Sequence, residues 1–169
     1  RNRSSAASDV YKRQIKITAV EGKVFKANEV SSILTERSLL FSEVLEEKVL
    51  LKYEDKKYIA TVKGVDANYK KLNRVDSMLV VGDYFEGYES NHTAIVGQGV
   101  AYYLSMGVGD MMNPLHVFVP KRSNKHLLRT ENAFSQSRLI PVGIFGIQAD
   151  FDATYVITSL DYVRELLER

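Results

Sequence analysis

Two long β-rich runs, 41–53 and 58–65, are separated only by Glu54-Asp55-Lys56-Lys57. Apolar strand formers recur through both runs, and the four charged residues between them suit a turn, so the segment reads as a β-hairpin. A lone hairpin is marginal in water. The remaining chain must therefore bring further strands or helices against it. The 169 residues suffice for one core, and with no cysteine that core is built without disulfides or thiolate–metal staples.

The rest of the chain alternates short strand and helix signals. Ile15, Ile17 and Ala19 alternate with Lys16, Thr18 and Val20, which predicts an opening strand. Asn28 is placed to cap a short helix with Val30, Ile33 and Leu34 on one face and Glu29 in its first turn. One helical turn is expected over 68–72, a buried strand over 78–81 and a polar, Tyr-rich loop over 83–91. A strand over 93–97 leads into a helix over 99–105, with Val100, Ala101 and Leu104 inward. After a glycine turn at 107–110 comes a strand over 115–120. The segment 121–136 is polar and basic, and an apolar strand resumes over 139–147. A strand over 155–158 and a helix capped by Ser159, with Leu160, Val163 and Leu167 as its stripe, close the chain. The expected fold class is α+β.

Residues 1–14 (RNRSSAASDVYKRQ) have no periodicity and join abruptly to Ile15, so they read as a non-native or disordered tail. They also distort the charge. Arg1, Arg3, Lys12 and Arg13 outweigh Asp9 by three, so the formal +2 of the whole chain leaves about −1 for 15–169. The basic pI belongs to the tail, and no nucleic-acid partner is expected. No run approaches the roughly 20 apolar residues that cross a bilayer.

Signals for chemistry are weak. Gly97-Gln98-Gly99 lies between a strand and a helix, as in a dinucleotide site, but Tyr102 stands where a third small residue would let the helix approach its strand. It reads as a structural turn. His92, His116 and His126 share no metal-ligand spacing. No G-x-S-x-G elbow presents a serine. Asp150 and Asp152 read as solvated loop carboxylates. No catalytic, cofactor-binding or metal residue is expected, and the chain is not expected to be an enzyme. The segment with the most to offer a partner is the basic loop: Lys121, Arg122, Lys125, His126 and Arg129 cluster around Leu127 and Leu128. Charge alone would make it a solvated hairpin tip. Two adjacent exposed leucines would instead suit a docking arm.

The run 94–110 (AIVGQGVAYYLSMGVGD), followed by the strand LHVFV at 115–119, resembles a recurrent block of the MacB-like periplasmic core domain. Residues 59–66 (IATVKGVD) resemble its earlier strand. Residues 155–167 resemble its closing strand and helix, with Ser159-Leu160 where Pro-Leu is usual and Val163 in place of Ala. Within the FtsX/MacB superfamily the wording is most similar to LolC/LolE-type lipoprotein-releasing permeases. The resemblance implies the extracytoplasmic domain of an ABC transporter permease in a bacterial inner membrane, here on the periplasmic side. It implies a porter-like subdomain of βα units and a hairpin from 15–65 and 139–169, with an inserted, mainly β, sabre-like subdomain from 66–138. The implied partners are an ABC ATPase subunit, reached through membrane helices outside this sequence, and a second permease protomer. A periplasmic lipoprotein carrier would be recruited by a protruding loop, here Lys121, Arg122, Lys125, Leu127, Leu128 and Arg129. ATP would be used by the separate subunit, with no cofactor in this domain. MacB-like efflux and FtsX-like mechanotransmission are the alternative activities.

Overall fold

The computed structural model describes residues 15–22, 25, 27–87, 92–108, 113–120 and 134–168. The hairpin is the longest feature. Strand β1 (Val44–Tyr53) pairs with β2 (Lys56–Val65) in unbroken antiparallel register, from Val44 opposite Val65 to Tyr53 opposite Lys56. Helix α1 (Asn28–Glu36) precedes it, and α2 (Ala67–Asn73) follows. Then come β3 (Leu79–Gly82), β4 (Thr93–Gly97), α3 (Gln98–Leu104), β5 (Leu115–Pro120) and β6 (Phe134–Phe145). The chain continues through α4 (Ala149–Asp152), β7 (Tyr155–Ser159) and α5 (Leu160–Glu168).

All seven strands join one mixed sheet in the order β3-β6-β4-β7-β2-β1-β5, and β5 pairs again with the first half of β6. Hydrogen bonds therefore run from strands within 66–138 to strands on both sides of that segment. β2 lies parallel to β7, and β4 lies parallel to β6. The main core fills the space between the sheet and helices α3 and α5, where Leu51, Val62, Val96, Leu104 and Val163 are buried. A second cluster, with Tyr69, Phe145 and Ile157, covers part of the opposite face.

The α+β class and most elements follow the sequence reading; several details depart from it. Strand β3, expected to be buried, is an end strand paired, among the described residues, only with β6, and its Val80 and Val81 are exposed. Residues 15–19 form no strand, and Ile15 and Ile17 are exposed: alternation is a strand signal only where a neighbouring strand can pair. Helix α1 buries none of its residues, and its cap is Ala27, which makes no side-chain hydrogen bond, rather than Asn28. β6 begins at Phe134, five residues before the apolar run, because Ser135 and Ser137 turn inward in place of apolar residues. Asp152 is buried rather than solvated. Ser159 does cap α5, its Oγ accepting from the Tyr162 N–H at 3.2 Å. No helix among the described residues is long and apolar enough to cross a membrane.

Candidate functional site

Strands β2, β1, β5 and β6 lie side by side, so the pleat sends alternate residues to one shared outer face. Register fixes what meets there. Lys57 is opposite Lys52, Lys52 opposite His116, and His116 opposite Arg138. Two residues further along, Ile59, Leu50, Phe118 and Gln136 form a parallel row. The inward positions between them (Leu51, Val117 and Ser137) are buried, whereas Ile59 is 61% exposed. Among the described residues, Lys48, Lys52, Lys57 and Arg138 make no salt bridge. Like charges directly opposite each other repel. This face therefore carries a cationic ladder beside an apolar ladder, with no described anion to balance it. The Gln136 Nε2 lies 3.2 Å from His116 Nδ1. Partial burial, then Arg138 and Lys52, hold the imidazole below the usual histidine range, so it is neutral near pH 7.

The other half of the same outer face is roofed. Lys63, six residues along β2 from Lys57, is only 5% exposed. Its Nζ lies 3.1 Å from Glu46 Oε1, which also meets Lys16 Nζ at 3.5 Å. The rings of Tyr155, Tyr69 and Phe151 stand 4.9, 5.4 and 5.5 Å from the ammonium, within cation–π range. Burial pushes the Lys63 amine down, and Glu46 opposes that shift.

Helix α4, which brings Phe151 to this roof, also explains the glycine turn. A Cβ on Gly97 would lie 2.1 Å from the Asp152 carbonyl oxygen, and one on Gly99 would lie 2.7 Å from Ala153 Cα. The glycines let α4 pack against the β4–α3 turn. Asp152 in turn accepts from the Ile147 N–H, at 2.9 Å through Oδ1 and 3.1 Å through Oδ2. Its burial raises the carboxyl above its ordinary range against the opposing pull of those backbone donors.

The loop residues Lys121, Arg122, Lys125, Leu127, Leu128 and Arg129, and His126 with them, lie outside the described residues, as does the 1–14 tail. What is described is the pair of strands that the loop joins: Pro120 faces Phe134 at the end of the β5–β6 hairpin. His92 sits elsewhere, its Nε2 3.6 Å from Glu165 Oε2 and its ring edge-on to Tyr162. Among the described residues no group of three or more His, Asp or Glu side chains could hold a metal. An open groove of about 570 Å³ between β3 and α3, lined by Val80, Val81, Tyr102 and Tyr103, offers contact area and no acid–base pair. Sequence reasoning does not group Lys52, Lys57, His116 and Arg138. Lys57 reads there as part of the hairpin turn and His116 as an isolated histidine, and only strand register brings the four together.

No protein-family model and no curated protein matches the chain. Among solved structures, the chain is similar to the extracellular domain of the noncanonic ABC-type transporter YknZ from Gram-positive bacteria. The TM-score is 0.60 over 86% of this chain and 67% of that one, at 8% sequence identity. It is also similar to a domain of a permease protein from Porphyromonas gingivalis, with a TM-score of 0.43 and 18% identity over 76% of this chain and 50% of that one. At 8% identity the likeness to the YknZ domain is one of fold.

Proposed function

We propose that this chain is the extracytoplasmic domain of an ABC transporter permease. In this reading it couples ATP-driven movement of membrane helices to release of lipoproteins toward a periplasmic carrier. The observation that carries the reading is the shared fold with the YknZ extracellular domain. The basic and apolar outer face supports the finer assignment, because His116 and Arg138 lie only four residues along β5 and β6 from Pro120 and Phe134, the described residues that flank the 121–133 segment. The ATPase is a separate subunit at the far side of the inner membrane, and a second permease protomer completes the transporter.

The geometry suits a lever. Lys16 meets Glu46, and Arg164 of α5 meets Glu43 at 3.1 Å, so both described ends of the chain gather where β1 begins. The cationic ladder lies six residues further along β1, about 20 Å away at strand rise. Hydrogen bonds cross between the proposed porter-like (15–65, 139–169) and sabre-like (66–138) parts, so movement at the tethered end is transmitted to the docking end. MacB-like efflux and FtsX-like mechanotransmission would use the same lever with a different partner.

A pull-down with the purified domain and a periplasmic lipoprotein carrier tests the assignment. Replacing Leu127, Leu128 and Arg129 together by Ser is expected to abolish capture, and Lys52→Glu with Arg138→Glu to weaken it at least tenfold. Capture that survives both sets removes the docking role and leaves efflux or mechanotransmission as the activity.

A further inference from the structure

His116 stands inside the cationic ladder, and its surroundings can be named element by element. From β1 it faces Lys52, with Lys57 of β2 beyond; from β6 it faces Arg138, with Gln136 beside it. No carboxylate faces it from β1 or β6, the two strands paired with β5. Building on the docking role of this face, we propose that His116 makes docking proton-linked: an acidic protein surface seated on the Lys57–Lys52–His116–Arg138 ladder draws a proton onto the imidazole. Binding then tightens as the pH falls.

The occupant follows from complementarity. Three fixed cations and one titratable ring form a row across four strands, and the neighbouring row is apolar except for Gln136 at its β6 end. An acidic protein surface with carboxylates beside apolar side chains satisfies both rows. Free, the ring is held neutral by partial burial and by its cationic neighbours, Arg138 and Lys52. Carboxylates placed on Lys52 and Arg138 cancel that field and add attraction, and an opposite charge within about 4–6 Å favours the charged form of a histidine. Desolvation by the partner acts the other way. It is the smaller effect where the partner brings carboxylates into contact with Lys52 and Arg138, because the ring then sits among charged and polar groups and not in an apolar pocket. The hydrogen bonding can follow the proton. Gln136 Nε2 now lies against Nδ1, as a donor to an unprotonated nitrogen; a half-turn of the amide presents Oε1 to the Nδ1–H of the imidazolium.

Isothermal titration of the domain with poly-L-glutamate, whose carboxylates remain ionised between pH 6 and 8, provides the test. Titrations in two buffers of different ionisation enthalpy read proton uptake directly. The expected result is uptake of about half a proton near pH 6.5 and affinity about fivefold tighter at pH 6 than at pH 8, as a rise of the order of one unit in the bound histidine would give. His116→Gln is expected to show no uptake and a flat affinity across that range, with an unchanged melting temperature confirming the fold. Uptake that persists in His116→Gln, or pH-independent binding by the unaltered domain, overturns the proton linkage and leaves the docking face standing. Failure of poly-L-glutamate to bind at either pH, or binding indifferent to Lys52→Glu with Arg138→Glu, overturns the docking face and the linkage with it.

Discussion

Lys63 and Lys57 lie on the same strand and point to the same face, yet one is buried and the other exposed. The difference comes from outside the strand. Over Lys63 the chain supplies α2 with Tyr69, α4 with Phe151, the Tyr155 ring of β7, and Glu46 as counter-charge. Over Lys57, Lys52, His116 and Arg138 no described element does so. A charge under a roof is fixed by the interactions that compensate its lost hydration. A charge without one remains available to a partner. One half of the outer face is thus built for stability and the other for encounter, and substitutions should separate them.

The largest effect is expected where the roof is fastened. Gly97→Ala puts a methyl 2.1 Å from the Asp152 carbonyl oxygen, and backbone on one side must move. The loss is expected to be about 3 kcal/mol, at the upper end for overpacking, read by chemical denaturation. Because α4 carries Phe151, the ring should also lift from Lys63. A loss below about 0.5 kcal/mol would mean that α4 is not clamped on the turn, and the contrast between the halves would lose its cause.

Next comes the roofed charge itself. Glu46→Gln leaves the Lys63 ammonium buried without its counter-ion. Breaking a buried pair costs roughly 3–5 kcal/mol, and because the Glu46 side chain is 26% exposed a loss nearer 2 kcal/mol is expected. Lys63→Met removes charge and need together and should stay within about 1 kcal/mol of the starting protein. The pH profile separates these variants further. The folded Lys63 gives up its proton more readily than the unfolded residue, so the unfolded state binds more protons. Stability should rise with pH between the lowered folded value and the ordinary 10.5, and Lys63→Met should abolish that rise. A rise that survives in Lys63→Met would assign it to another group.

The same contrast marks what sequence alone could reveal. The 93–105 strand and helix were legible because Val100, Ala101 and Leu104 keep helical spacing, and all three are buried. The closing helix was legible through its Ser159 cap. The hairpin announced itself, but its register did not, and register is what assembles the ladder. Ser135 and Ser137 hid the first half of β6, since small polar residues can face inward where neighbouring strands supply the apolar contact. The alternation at 15–19 misled because pairing, not pattern, makes a strand. Asp152 looked solvated because its partner, the Ile147 N–H, is a backbone group that composition cannot display. Lys63 showed no sign of burial, since its roof comes from residues up to 92 positions away, at Tyr155.

The smallest stability effect should fall on the open half. Lys52 faces Lys57 on one side and the neutral His116 on the other, so Lys52→Glu exchanges one unfavourable cross-strand charge pair for a favourable one. Cross-strand charge pairs contribute roughly 0.2–1 kcal/mol, and a gain of about 0.5 kcal/mol is expected. Thermal melting should show this as a rise of one or two degrees that shrinks with added salt, because exposed charges are screened. Poly-L-glutamate binding should fall in the same variant. Stability and binding would then move in opposite directions, as expected where a surface keeps an unbalanced charge for a partner at the expense of its own fold. A Lys52→Glu protein that loses more than about 1 kcal/mol would place the ladder among the structural contacts and erase the distinction between the two halves.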